Sequence, residues 1–246
     1  FGATNEYAQQ SGIQINPGTN AEVYNNIVDT GTGYGIFAGG RGGSHFYNNI
    51  IRNALQGGII CADYDPLDAS GFIFSNNTIL NCNDYGIYML SQRTTTNQFV
   101  NNIIVAGGIT YNASYTHVRL NSASVKWTES NNIKTSNIAD LKFVNSSTKD
   151  FRLLTGSPAI DAGKNMTSNG ITFDLDDNPR PKGSAFDIGA YEFQTGGPTS
   201  NAGSDKNITL PTNSVIINGS GTSSTGITGY LWTKKSGGTA TLTNET

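Results

Sequence analysis

Charge is what this chain has least of. Asp, Glu, Lys and Arg make up only 13% of its 246 residues, 18 acidic against 15 basic for a net charge of −3, about half the charged share of an ordinary soluble domain. Sparse Lys and Arg on a mildly acidic chain exclude a nucleic-acid partner, because phosphate contacts dominate that affinity. Long apolar runs are missing as well. None approaches the roughly 20 residues that a membrane-spanning helix needs, so no span is expected in this segment. Cysteine is confined to Cys61 and Cys82, too few for a disulfide framework. The two fall at different positions of the repeat described next and read as small buried apolar residues, a bridge being the open alternative. His45 and His117 are the only histidines, with no Cys or His at ligand spacing, so no zinc site is expected. No segment shows the 3.6-residue period of an amphipathic helix. Ile, Val, Tyr and Phe are nevertheless spread throughout, which argues against disorder.

What is abundant is Gly, at 30 residues, and Asn, often as a pair. Asn-Asn followed by an apolar residue recurs at Asn25-Asn26-Ile27, Asn48-Asn49-Ile50, Asn76-Asn77-Thr78-Ile79, Asn101-Asn102-Ile103 and Asn131-Asn132-Ile133. Gly-Ile recurs at Gly12-Ile13, Gly35-Ile36, Gly58-Ile59, Gly86-Ile87 and Gly108-Ile109. From Asn25, Asn48 and Asn76 to the next Gly-Ile the interval is 10 each time, whereas the return interval varies from 13 to 18. A fixed half and an elastic half make a solenoid repeat of 23 to 28 residues. Short alternating stretches such as Val23–Val28 and Ser44–Ile51 fit three strands per coil, each strand pairing with the next coil at about 4.8 Å. Asn and Gly suit the corners because both tolerate left-handed backbone. Asn at one corner of successive coils can also pass amide hydrogen bonds along the stack. Asn25, Asn26, Asn48, Asn49, Asn76, Asn77, Asn101, Asn102, Asn131 and Asn132 are therefore expected to form a corner ladder. The Ile of both marks is expected to point into the cylinder.

These marks, across residues 10–135, resemble the right-handed parallel β-helix proteins of the pectate-lyase-like superfamily. The resemblance implies an all-β fold: a right-handed parallel β-helix with a C-terminal cap, followed by the start of a β-sandwich. It is almost silent on activity, since the fold hosts lyases, hydrolases, epimerases, esterases, tailspikes and adhesins.

Three regions are expected: coils over 1–135, a closing segment over 136–196 and a truncated sandwich over 197–246. The succession Asp150-Phe151-Arg152-Leu153, Ser157–Gly163, Asp174–Pro181 and Phe186–Phe193 resembles the segment that closes secreted β-helix proteins of Bacteroidetes-type surfaces. Its expected task is to cover the last coil's open end and unpaired strand edge. Asp174, Asp176 and Asn178 match the start of an EF-hand, but Pro179 and Ala185 stand where that loop needs Gly and Glu. An Asp turn bonded to nearby backbone amides and balanced by Arg180 is expected instead. No metal or cofactor is expected, calcium being the open alternative. The stretch Asn201–Lys234, with Ser214–Ser220 as a half-buried strand and Trp232 as a core aromatic, resembles the first half of a PKD-like immunoglobulin-type domain. The opening Phe1-Gly2-Ala3-Thr4 has no signal-peptide pattern, and the chain is expected to be part of a longer protein.

Chemistry is expected on the elastic side. Counted from the Gly of each Gly-Ile mark, Arg41 and Tyr64 stand at offset 6, Asp65 and Arg93 at offset 7. With Asp63 and Asp68 from the longest insertion, they form the candidate groove for an acidic or neutral polysaccharide or cell-surface glycan. An inter-coil salt-bridge ladder on a solvated face is the alternative. The resemblance implies Arg or Lys as base in lyases and paired carboxylates in hydrolases, yet no complete catalytic set is visible. The expected function is a secreted or bacterial cell-surface module, carbohydrate-binding or adhesive, joined to further domains of its polypeptide. A polysaccharide lyase or glycoside hydrolase is the alternative.

Overall fold

A computed structural model describes residues 11–15, 20–31, 33–39, 42–62, 71–90, 96–106, 116–194, 199–209, 211–212, 214–222 and 232–233. The chain divides into two compact units, Phe1–Phe193 and Gln194–Thr246.

The first unit is built on three five-stranded parallel sheets. The first sheet holds Ile13–Ile15, Tyr34–Ala38, Gly57–Cys61, Tyr85–Met89 and Thr116–Leu120; the second holds Glu22–Tyr24, His45–Tyr47, Ile73–Ser75, Asn97–Val100 and Trp127–Ser130. The third holds Ile27–Asp29, Ile50–Arg52, Thr78–Cys82, Ile103–Ala106 and Ile133–Thr135. The chain visits them in rotation and advances one strand per circuit, a right-handed parallel β-solenoid of about 4 turns. Inside, equivalent residues of successive coils stack in rows. Phe46, Phe74 and Phe99 form one row, with ring centroids 5.1 and 5.0 Å apart. Ile36, Ile59 and Ile87 form a second row, and Val28, Ile51, Ile79 and Ile104 a third. Cys61 and Cys82 are buried within this core, with no disulfide between them.

The Asn pairs turn the chain from the second sheet into the third. Asn25, Asn48, Asn76, Asn101 and Asn131 all adopt left-handed backbone, with φ between 52° and 59°. The second Asn of each pair faces inward. The Oδ1 of Asn49 accepts both the N–H and the Nδ2 of Asn26, at 3.1 and 3.0 Å, and the pattern repeats from Asn49 to Asn77, Asn77 to Asn102 and Asn102 to Asn132. The remaining Nδ2 hydrogens of Asn49, Asn77, Asn102 and Asn132 reach the carbonyls of Val23, Phe46, Phe74 and Phe99.

Three expectations need correction. Among the described residues the glycines of Gly-Ile are not left-handed; Gly12, Gly35 and Gly58 stand where no Cβ fits. A Cβ on Gly35 would lie 2.1 Å from Ile51 Cγ2, and one on Gly58 would lie 2.4 Å from Ile79 Cγ2. The Ile directly after Asn-Asn points outward, because the second Asn already occupies the inward position and side chains alternate along a strand. Val28, Ile51, Ile79 and Ile104, one residue later, fill the cylinder. The fifth strand of the first sheet is Thr116–Leu120, with Val118 in register with Ile87; Gly108-Ile109 lies outside the described residues.

The outward Ile50 and Ile103 are covered by residues 136–193. Leu141, Phe143, Phe151, Leu153, Ala159, Ile188 and Ala190 pack with Ile50, Leu80, Ile103 and Val105 in one core. The first Asn of four of the five pairs fixes that segment: Asn48 Nδ2 donates to the Phe173 carbonyl, Asn76 to Asp187, Asn101 to Lys164 and Asn131 to Ala162. The segment expected at the open end thus lies along the flank of the third sheet and belongs to the same compact unit as the coils.

In the second unit, Thr199–Asn201 pairs antiparallel with Ser220–Thr222, and Gly219 lies against the half-buried Trp232 ring. Val215, Ile216 and Ile217, expected as a half-buried strand, are exposed and form no strand, since among the described residues no second sheet faces them.

Candidate functional site

Alternation along the first sheet sends Ile36, Ile59 and Ile87 inward and the next residue of each strand outward. The outer face accordingly carries Phe37, Ile60 and Tyr88, and Tyr34 and Tyr85 from the strand starts and Leu90 pack with them in one cluster. Most of this face is covered: Phe37 is 2% exposed. The Tyr34 and Tyr85 hydroxyls lie 3.1 Å apart, and burial pushes the Tyr85 phenol above its ordinary range. At the last coil the face reaches solvent. There the exposed Arg119 places its guanidinium 4.8 Å from the Tyr88 ring centroid and 5.4 Å from that of Tyr85. Tyr88 donates its hydroxyl proton to Asn121 Oδ1 at 3.4 Å. A guanidinium backed by aromatic rings is held in place while its N–H fork stays free for a carboxylate or a hydroxyl.

The chain leaves this sheet at one level in successive coils, since Ala38, Cys61, Met89 and Leu120 are register partners. The insertions with Arg41, Asp63, Tyr64, Asp65, Asp68 and Arg93 follow the first three of those ends. All six residues lie outside the described residues. Sequence reasoning missed Arg119. The fixed interval of 10 breaks after Asn101, where Gly108 comes after only 7 residues, and that break is the signal that the last coil runs in a different frame.

The titratable groups elsewhere are accounted for by structure. His45, on the outer side of the second sheet, bonds through Nε2 to Ser75 Oγ at 2.7 Å, and burial holds its imidazole down to about 4. It packs on Tyr47, whose ring lies parallel to Tyr24 at 4.8 Å. Burial, with help from Glu22, pushes the Tyr47 phenol up to about 12. His117 lies near the Thr135 carbonyl at 3.2 Å. Asp29 pairs with Arg52, which lies over Phe151, and with Lys149 at 3.1 Å, tying the closing segment to the first two coils.

Around Asp174 the donors are amides. Oδ1 accepts the N–H groups of Asp176 and Asn178, both at 2.8 Å, and Oδ2 accepts that of Glu192 at 2.8 Å. These point hydrogens where a calcium ion would have to sit, so the pair of oxygens does not fit a cation. Arg180 is fully buried and pairs at 2.6 Å with Glu192, also fully buried, a partner the sequence did not suggest.

No helix among the described residues is long and apolar enough to cross a membrane. No curated protein matches the chain. A family model described as the right-handed β-helix region matches residues 3–125, and a PKD-domain model matches residues 202–246. Both kinds of domain are typical of extracellular proteins, and together they fit a module of a larger protein. With half of the sequence matched and three parallel sheets wound in rotation, the chain belongs to the right-handed β-helix family.

Proposed function

We propose that the chain is a secreted or cell-surface module of a larger bacterial protein, and that its solenoid binds acidic polysaccharide on the outer face of the first sheet, at its last coils. The observation that carries this reading is Arg119, an exposed cation stacked on Tyr88 and Tyr85 at the end of an otherwise covered aromatic face. A uronate carboxylate pairs with the guanidinium while the sugar's CH face lies against Tyr88. In this reading Arg41 and Arg93 extend the cationic line, Tyr64 adds a ring face, and Asp63, Asp65 and Asp68 accept sugar hydroxyls. Binding without chemistry is favoured because no complete catalytic set is visible in the sequence.

Affinity electrophoresis of the whole chain in gels containing a polyuronate or a neutral glucan tests it. The polyuronate should retard the protein, less so as salt rises, and Arg119→Ala should weaken retention about tenfold, as losing one charged contact does. Equal retention of the wild type and Arg119→Ala, or none at all, overturns the reading. Release of unsaturated, ultraviolet-absorbing product would instead make the module a lyase.

A further inference from the structure

The stretch immediately before the boundary between the two units is held in an unusual way. Asp187–Phe193 forms no strand, yet its N–H groups donate to widely separated parts of the first unit. Asp187 donates to Glu192 Oε1 at 2.9 Å, Ile188 to the Ala159 carbonyl at 2.9 Å, and Gly189 to the Asn101 carbonyl at 2.8 Å. Ala190 donates to Thr78 Oγ1 at 3.0 Å, Glu192 to Asp174 Oδ2 at 2.8 Å, and Phe193 to Asp187 Oδ2. Its carbonyls are taken as well: Asn76 Nδ2 and Arg180 reach Asp187, Arg180 reaches Gly189, and Leu175 reaches Ala190. Gly189, at φ +96°, lies so close to the third sheet that a Cβ would come within 2.6 Å of Ile103 Cδ1.

We propose that Asp187–Phe193 is a mechanical anchor, through which the solenoid unit resists pull transmitted by the chain beyond Phe193 into the corners at Thr78 and Asn101. Packing alone would cover the third sheet with fewer directional bonds. A buried Arg–Glu pair adds little net stability over apolar groups of the same shape, but its bonds are strong and all meet on this stretch. Detaching it means breaking the bonds to Asn101, Thr78, Ala159 and Asp174 together.

The test is single-molecule force spectroscopy on the whole chain, pulled from its two ends. In the wild type the first step within the solenoid unit should release the closing segment. Thr78→Val, which deletes the acceptor of Ala190 at nearly constant volume, and Glu192→Gln should each raise the rate of that step at fixed load by about tenfold or more. Ile36→Val, which thins the interior elsewhere, should leave that step unchanged and speed the later coil steps. A first step that starts in the N-terminal coils, or wild-type rates in Thr78→Val and Glu192→Gln, overturns the proposal. Should Glu192→Gln fail to fold, Thr78→Val alone decides.

Discussion

Left-handed backbone costs most residues about 1–2 kcal/mol, and Asn is one of the few that visits it readily. That tolerance brings Asn25, Asn48, Asn76, Asn101 and Asn131 to the corner, but a second property makes the pairs useful. A carboxamide has two donors and an acceptor with two lone pairs. The second Asn uses them on neighbouring coils, and from Asn48 onward the first uses its donor on the closing segment. Two buried ionisable groups have an effect that can be measured. Burial holds His45 down to about 4, from an ordinary value of 6.5. Unfolding therefore takes up a proton below pH 6.5, and the stability that the neutral imidazole provides is lost as pH falls from 6.5 toward 4. Asp187 acts in the opposite sense. Burial pushes it up to about 6 from 3.8, so the folded chain takes the proton first and stability is lost as pH rises through that window. The two contributions oppose, and the urea midpoint of the wild type should be nearly flat between pH 4 and 6.5. Asp187→Asn leaves the His45 contribution alone, so its midpoint should fall more steeply toward pH 4 than that of the wild type. Parallel pH curves for the two proteins would contradict the assignment.

At the level of elements, the third sheet is buried on both faces, the usual condition of parallel strands. Ile104 fills the cylinder while its neighbour Ile103 packs under Ile188 and Ala190. Ile27, the equivalent of Ile103 in the first coil, is 64% exposed. Ile103→Ala should thus cost about 2–5 kcal/mol, comparable to Ile104→Ala, whereas Ile27→Ala should stay within about 0.5 kcal/mol. Urea midpoints of the three variants check this; Ile103→Ala matching Ile27→Ala would mean that the closing segment is not docked. The repeat made the coils legible, because Asn-Asn and Gly-Ile each mark a position where only that residue type fits. The direction of Ile50 and Ile103 was harder to read, since a corner shifts the alternation by one residue. The unbroken run Ile103-Ile104-Val105-Ala106 is the clue that both faces are covered, for a strand with one solvated face alternates. The flank position of the closing segment carries no such local clue. It depends on carbonyls meeting Asn48, Asn76, Asn101 and Asn131 from 30 or more residues away. Arg119 was hidden for a related reason, because its strand follows the repeat's one broken interval.

For the whole molecule, the low charge follows from geometry. A solenoid strand faces the cylinder on one side, and here two of the three outer faces are largely covered, the first by its own aromatic cluster and the third by the closing segment. Few positions remain where a charge meets water, which gives Arg119 its weight. The bond-rich stretch at Asp187–Phe193 then marks where the solenoid unit ends and the PKD-matching unit begins. The proposed polysaccharide site is the first sheet's outer face, at its last coils. Hydrogen–deuterium exchange of the whole chain, with and without a polyuronate at saturating concentration, tests this most directly. Added protection should fall on Tyr85–Met89 and Thr116–Leu120, with the corners at Asn48, Asn76 and Asn101 unchanged. Protection confined to the second sheet or the closing segment, or no change anywhere, would contradict it.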